Sequence, residues 1–299
     1  MSDQDLKSKP AETETSNSEA PLVRKRGGMT PAEAAYMRGD RPAVEGSLPM
    51  STSRFLNSPL FVHAFSRMSL RKMGDDIAVT YDIPDMSRAI DDVADYAEWA
   101  KLIEIEKLKK PDFAAWLEER RTTQYDPRTM GHYADGTLGA AIRDFMISSG
   151  YDLEFMDKGM QPANDLEYLM KRAGECHDIQ HMVTGFGPNI AGEHALIMMN
   201  VTSNALYFSP DLAAHISRSP YFLASANLMR SSLHYPAGMP RLLEATQLGI
   251  EAGRALRKPL HIVNWEDYLD WQMADIAADL GFTRGPGQAW ATDDHLLLG

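Results

Sequence analysis

Residues 164–193 read NDLEYLMKRAGECHDIQHMVTGFGPNIAGE. Asn164 followed three positions later by Glu167 is typical of a helix start at which two polar side chains satisfy free backbone N–H groups. Apolar residues then recur at helical spacing until Gly185, and glycine commonly ends helices. We therefore predict one helix over 164–184, followed by a tight Gly/Pro-containing connection and a second helix.

Polar side chains on this helix form a pattern that binds metals. His177 and His181 are four residues apart, so they lie on one face of the helix, one turn from each other. Asp178 is rotated by about 100° from His177 but lies three residues before His181, within reach of the same centre. Eleven residues separate His181 from Glu193, which stands in the first turns of the next helix. We predict that these four side chains converge as ligands.

Two neutral imidazoles and two carboxylates suit one divalent metal. Zinc is the first expectation, and the same donors accept iron, manganese or cobalt. The plainer interpretation makes the histidines satisfied core residues and the acids surface charges, but the spacing within one helical hairpin favours the metal. The single cysteine, Cys176, excludes a zinc site of two or four cysteines and indicates a reducing compartment.

Helical periodicity extends over most of the chain. The predicted helices are 91–109, a short one capped by Asp112, one opened by Thr137 and closed by Gly150, and then 190–207, 221–233, 240–256 and 266–280. Strand patterns are few and short, for example residues 77–80. The predicted fold is mainly α, a single α-helical domain (helical bundle) over residues 50–285, with a disordered N-terminal tail over 1–49 and a C-terminal arm, a loop or surface-docked segment, over 286–299.

Composition narrows the functional classes. The chain has 299 residues, 42 acidic and 30 basic, and a formal net charge of −12, which disfavours general nucleic-acid binding. The N-terminal sequence lacks the apolar stretch of a signal peptide, and no run of about 18–20 apolar residues indicates a membrane span. The expected location is the cytoplasm or, as a peripheral protein, the cytoplasmic face of a membrane.

The stretch from His177 to Glu193 resembles the signature of the Coq4 family of ubiquinone-biosynthesis proteins. That signature is H-D-x-x-H followed, after eleven residues, by E, and the spacing matches throughout. The resemblance covers about residues 125–282 and is carried further by GTLG at 136–139, EYLMKR at 167–172, GIEAG at 249–253, KPL at 258–260 and WE at 265–266.

The resemblance implies a helical metalloprotein of the quinone pathway whose metal centre, held by His177, Asp178, His181 and Glu193, is catalytic. The implied reaction is that of a lyase, a decarboxylase that removes the C1 carboxylate of a polyprenylated 4-hydroxybenzoate, with hydroxylation at that carbon. The implied partners are this prenylated aromatic quinone precursor, other ubiquinone-biosynthesis enzymes and a membrane surface, with no nucleic acid. A homodimer is left open.

Side chains close to the motif receive two interpretations each. Arg172 and Lys171 either bind an anionic head group of the substrate or are charges on a helix surface. Met170 and Met198 either line an adaptable pocket for the prenyl tail or fill the core. His194, next to the predicted ligand, is either a donor behind the site or a surface residue.

Two other functions stay open. The first is a non-catalytic organiser that binds a prenylated lipid and holds partner enzymes together. The second is a metallohydrolase, although Asp178 stands where a zincin has a longer glutamate, and only His132 or His63 is available as an additional upstream histidine for a phosphohydrolase.

Overall fold

Helices form the regular structure of this protein. Its structure, a computed structural model, describes residues 53–72, 79–122, 125–150, 153 and 159–293. The α-helices in these ranges are α1 (Arg54–Asn57), α2 (Pro59–Leu70), α3 (Ile83–Asp91), α4 (Tyr96–Lys109), α5 (Pro111–Glu119), α6 (Leu138–Ser149), α7 (Asp165–Glu175), α8 (His177–Thr184), α9 (Ile190–Tyr207), α10 (Pro210–His234), α11 (Met239–Ala255) and α12 (Met273–Leu280). The described ranges contain no strand, only one antiparallel bridge between Thr137 and Gln272. The prediction of a mainly α fold is confirmed.

Local sequence sets the helix ends around the motif. The side chain of Asn164 accepts a hydrogen bond from the Glu167 N–H at 2.9 Å, and Asn189 does the same for the Gly192 N–H at 2.8 Å. Gly150 and Gly185 follow α6 and α8 in left-handed conformations, at φ of 76° and 72°. These ends are determined by residues within one turn of each other, which explains why the sequence predicted them.

The prediction of one helix over 164–184 is wrong, because the helix is interrupted at Cys176. This residue ends α7 and precedes α8, with φ −89° and ψ −3°. Gly174 and Cys176 are weak helix formers, so local preference does little to keep the helix continuous. The interruption separates a buried charge cluster on α7 from the two histidines on α8.

Five other predicted elements differ from the structure. The helix predicted over 91–109 begins at Tyr96, and the short helix predicted to be capped by Asp112 begins at Pro111. The helix predicted over 221–233 is the second part of α10, which begins at Pro210 and continues through Pro220. The helix predicted over 266–280 divides into a 3₁₀ turn at Trp265–Tyr268 and α12. Of the strand-like run 77–80, the described part begins a 3₁₀ turn at Val79–Asp82.

Helix α9 is the central packing partner of the site. It lies against α11 so closely that a Cβ added to Gly249 would stand 2.3 Å from the Ala195 carbonyl oxygen. A Cβ on Gly253 would stand 2.5 Å from the Met199 carbonyl oxygen. The two glycines therefore allow the backbones of α9 and α11 to touch, which gives the helix that bears Glu193 a rigid support.

Three apolar clusters form the core. The largest packs α6, α8, α9, α11 and α12 together and includes Ile179 and Val183 of α8, which are 1% and 0% exposed. The second joins α4, α5 and α7 to the start of α10, and the third joins α2 and α3 to the middle of α10. One face of α8 is thus buried in the largest cluster, which fixes the direction of the other face.

The two ends of the chain have different outcomes. The tail predicted over 1–49 lies outside the described residues. Within the predicted C-terminal arm, Trp290 is 2% exposed and belongs to the largest core cluster, so this part of the arm is not merely docked on the surface. Among the helices described, none is both long and apolar enough to cross a bilayer.

Candidate metal centre

Three of the predicted ligands converge on one point. The Nε2 atoms of His177 and His181 lie 3.1 Å apart. One carboxylate oxygen of Glu193 lies 3.1 Å from the His181 Nε2, and the other lies 3.4 Å from the His177 Nε2. Within the described residues, these three side chains form a group whose ligand atoms all lie within 4.8 Å of one another.

Asp178 does not join this group. The three residues with mutually close ligand atoms are His177, His181 and Glu193, so the predicted fourth ligand is left out. The rotation of about 100° between successive helix positions turns Asp178 away from the face that the histidines share. Its charge still reaches His177, where it helps to favour the protonated imidazole.

The connection between α8 and α9 brings Glu193 back to the histidines. It turns so tightly that a Cβ on Gly192 would stand 1.9 Å from the Gly187 carbonyl oxygen. The Asn189 side chain holds the first turn of α9, and Glu193 N–H bonds the Asn189 carbonyl at 2.8 Å. Gly192 is therefore required at this position because any side chain would push the loop away from the helix.

The orientation of the His181 ring is determined by a backbone carbonyl. His181 Nδ1 lies 2.6 Å from the Phe186 carbonyl oxygen. A carbonyl has no proton to give, so Nδ1–H is the donor, and in the neutral ring Nε2 carries the lone pair. That lone pair points at His177 and Glu193. This is the arrangement in which a metal-binding histidine is held by a partner behind it.

Charge and exposure differ among the three side chains. Burial opposes ionisation of Glu193, but the two imidazoles beside the carboxylate outweigh burial and hold the pKa of the carboxyl well below its usual range. Burial also lowers the pKa of His177, yet the Glu193 carboxylate raises it to a greater extent. The side chains of His181, Glu193 and His177 are 6%, 32% and 44% exposed, so the cluster opens to solvent beside His177.

These residues fit a divalent cation. The His181 lone pair and the Glu193 carboxylate are both acceptors, so at 3.1 Å they repel each other unless a proton or a cation lies between them. Two histidines and one carboxylate are the protein ligands of one class of catalytic zinc site and of non-haem iron sites, both of which keep open positions for water or substrate. The donor set and its opening to solvent therefore suit a catalytic ion rather than a closed structural one.

Arg172 and Lys171 are not surface charges. The Arg172 side chain is 2% exposed and bonds Glu175 at 3.0 Å, Glu266 at 2.9 Å and the Val263 carbonyl at 3.0 Å. Lys171 is also buried, and its Nζ donates to the Met160 carbonyl at 2.8 Å. The helix-surface interpretation is wrong for both, and the Arg172 contacts indicate a structural role.

The remaining candidates lie in different settings. Met170 is 39% exposed, while Met198 lies beside Gly249 of α11. A pocket that both methionines line stays a prediction. His194 is fully buried, and its Nε2 bonds the Thr246 hydroxyl of α11 at 2.9 Å, so it is not a surface residue. Burial lowers the pKa of His194 to about 4.

Sequence reasoning missed two groups that build the site. The Phe186 carbonyl leaves no trace in a side-chain motif, because it is a backbone atom placed by the turn after α8. Gly192 did leave a signal, since glycine in the first turn of a helix is unfavourable unless close packing demands it. Only the structure shows what it packs against.

The fold and the site together define a class, helical proteins with a cluster of two histidines and one glutamate between consecutive helices. The family model described as coenzyme Q (ubiquinone) biosynthesis protein Coq4 matches residues 108–286. The chain therefore belongs to the Coq4 family, as the sequence resemblance indicated, and this family serves ubiquinone biosynthesis.

Two known proteins are similar to this chain. The ubiquinone biosynthesis protein COQ4 of Laccaria bicolor, a mitochondrial protein, is 24% identical over 261 residues, which cover 84% of this chain and 77% of that protein. A crystal structure of a candidate ubiquinone biosynthesis protein from Nostoc punctiforme has a TM-score of 0.52 and 24% identity, and covers 68% of this chain and 88% of its own. The second comparison supports the fold.

Proposed function

We propose that this protein is a metal-dependent decarboxylase of ubiquinone biosynthesis. It would hold one divalent metal, zinc or else iron, manganese or cobalt, through His177, His181 and Glu193. The observation that carries the proposal is the set of acceptor atoms described above, in which a neutral His181 directs its lone pair at a carboxylate 3.1 Å away. Such a set is stable when a cation completes it.

The proposed substrate is a polyprenylated 4-hydroxybenzoate. The bond between C1 of the ring and its carboxylate breaks, carbon dioxide leaves, and a proton takes its place. In the oxidative form one dioxygen and two reducing equivalents place a hydroxyl at C1 and release one water. A metal in the site would act as a Lewis acid that binds the anionic substrate and stabilises charge on the ring.

The chain's own residues have distinct parts in this scheme. His181 is held by the Phe186 carbonyl and keeps Nε2 free of a proton. Glu193 supplies the anionic ligand and contacts both histidines. His177 is the most exposed of the three, so substrate would approach on its side. Arg172, being paired inside the protein, is not assigned to the substrate in this scheme.

The test uses a prenylated 4-hydroxybenzoate whose carboxyl carbon is labelled and measures the release of labelled carbon dioxide. The metal-loaded full chain is assayed with and without dioxygen and a reductant. We expect release by the wild type and loss of release in His181→Ala and Glu193→Gln. His63→Ala, an exposed histidine on α2, is the matched control and should keep full activity. No release with any of the four metals, in a protein that binds the prenylated substrate, would favour the non-catalytic organiser instead.

Membrane and enzyme partners belong to the same proposal. A polyprenyl substrate is held in a bilayer, so the protein would work as a peripheral protein at a membrane surface, next to other enzymes of ubiquinone synthesis. Co-sedimentation with lipid vesicles tests the first part. Binding to vesicles that carry the prenylated substrate, and none to substrate-free vesicles, would show that substrate rather than lipid recruits the protein.

A further inference from the structure

Helix α8 carries both histidines and is only eight residues long, so its end needs partners from elsewhere. Its last four carbonyls all have donors. Gly185 N–H serves the His181 carbonyl, and the other three are served by residues 284–285. We name residues 284–290 the C-terminal strap. It supplies three of the four bonds that end the histidine-bearing helix.

The polar contacts of the strap are specific. Arg284 donates from Nε to the Val183 carbonyl at 2.9 Å and from its second terminal nitrogen to the Met182 carbonyl at 3.0 Å. The Gly285 N–H donates to the Thr184 carbonyl at 2.7 Å. Two residues further along the strap, the Gly287 N–H donates to the Gly185 carbonyl at 2.9 Å. Together these bonds hold the strap along the end of α8 and the turn that follows it.

The same strap clamps Phe186. The rings of Phe186 and Trp290 are stacked, with centroids 5.9 Å apart and an angle of 18°. On another side Gly285 lies so close that an added Cβ would stand 2.4 Å from the Phe186 ring. Arg241 of α11 covers the Trp290 ring at 5.6 Å. Phe186 is 1% exposed and has little room to move.

Phe186 is the residue whose carbonyl accepts the His181 Nδ1–H. From this chain of contacts we propose that the C-terminal strap is a positioning element for the metal centre. By clamping Phe186 it keeps His181 in the tautomer with Nδ1 protonated and Nε2 free. The inference rests on the proposed metal binding of the cluster. Trp290 lies beyond residues 108–286 that match the family, so this part of the clamp extends past the shared region.

The experiment uses the full chain with Trp290→Ala and Gly285→Ala. The first removes the ring that stacks on Phe186, and the second adds one methyl group that pushes against it. Trp116→Ala is the matched control, because it removes another buried tryptophan from a different core cluster. Zinc affinity is measured by competition with a chromophoric chelator. The His181 tautomer is read by ¹⁵N NMR of the metal-free protein over a pH series that extends above the titration of both histidines.

We expect zinc binding to weaken about tenfold or more in both strap variants, as is typical when the partner behind a ligating histidine is disturbed. In the metal-free strap variants the Nδ1-protonated form of His181 should decline, while Trp116→Ala keeps it and binds zinc within about twofold of the wild type. If Trp290→Ala does not fold, Gly285→Ala decides alone.

The proposal is overturned if a folded strap variant keeps both the wild-type tautomer and the wild-type affinity. The two readouts separate this inference from the proposed function. A wild type that binds no metal would refute metal catalysis, and the tautomer of the metal-free variants would still decide whether the strap positions His181.

Discussion

Two clusters of ionisable side chains lie on either side of Cys176, and they differ in whether they contain their own counter-charge. On α7 Arg172 stands between the carboxylates of Glu175 and Glu266. On α8 the two histidines meet Glu193 and, in the neutral state of the rings, no cation is among them. The α7 cluster contains its own cation and is almost closed to solvent, whereas the α8 cluster is partly open.

This difference separates a structural cluster from one built for a ligand. A buried charge that finds its partner within the chain stabilises one arrangement and leaves nothing to bind. Acceptors that face each other beside solvent are stable only when something from outside joins them. The same test applies to Glu106, which is buried on α4 and accepts from the Ser209 N–H at 3.1 Å at the start of α10. The Glu106 carboxylate therefore also finds its hydrogen-bond donor within the chain.

The largest effect is expected from breaking the closed cluster. Arg172→Met leaves Glu175 and Glu266 buried without their cation, so the free energy of unfolding should fall by about 3–5 kcal/mol. Urea denaturation measures it. Arg128→Met is the control, since Arg128 pairs with Asp126 on the surface and should change stability by less than about 0.5 kcal/mol. Equal effects of the two changes would contradict the distinction between the clusters.

The open cluster should respond to added metal instead. Zinc at 100 times its dissociation constant should raise the unfolding free energy of the wild type by about 2.7 kcal/mol, because only the folded state assembles the ligands. Thermal or urea unfolding with and without zinc tests this. Glu193→Gln should lose most of this gain, whereas Asp178→Asn should keep most of it. A loss in Asp178→Asn as large as that in Glu193→Gln would restore Asp178 as a ligand.

A smaller effect should follow from disturbing the turn that brings the open cluster together. Gly192→Ala places a methyl group against the Gly187 carbonyl, so it should cost about 1–3 kcal/mol of stability and weaken zinc binding. Calorimetry of unfolding and of zinc binding measures both. Gly131→Ala is the control, because no atom lies within 4 Å of its added Cβ. Unchanged zinc affinity in Gly192→Ala would show that the close approach does not position Glu193.

The smallest effect concerns a histidine outside both clusters. His261 is buried, and burial lowers its pKa to about 4. Below about pH 6.5 the unfolded chain therefore protonates this imidazole, whereas the folded chain keeps it neutral. Its contribution to stability is therefore lost as pH falls, by about 1 kcal/mol between pH 7.5 and 5.5. His261→Phe should make urea midpoints less dependent on pH over this range than those of the wild type. An unchanged pH dependence in His261→Phe would mean that this ring is protonated in the folded state.

Helix ends and the shared face of the two histidines could be predicted, because they depend on residues within a turn of each other. Asn164 and Asn189 cap the starts of α7 and α9, and Gly185 ends α8, each through contacts with the adjacent turn. Whether Asp178 joins the two histidines and Glu193 depends on the direction of its side chain, which the spacing of residues in the sequence does not specify. The burial of Arg172 could not be read from its own helix, since its partner Glu266 is 94 residues away.

The sequence by itself determined a helical protein of the Coq4 family in which His177 and His181 share a face and Glu193 begins the next helix. Helix geometry and capping are local, so a short stretch of sequence specifies them. The tertiary structure alone decided which of the polar residues meet. It interrupts the helix at Cys176 and closes one cluster on itself. It also places Trp290 against Phe186, whose carbonyl holds His181, and this contact joins segments that are far apart in the chain.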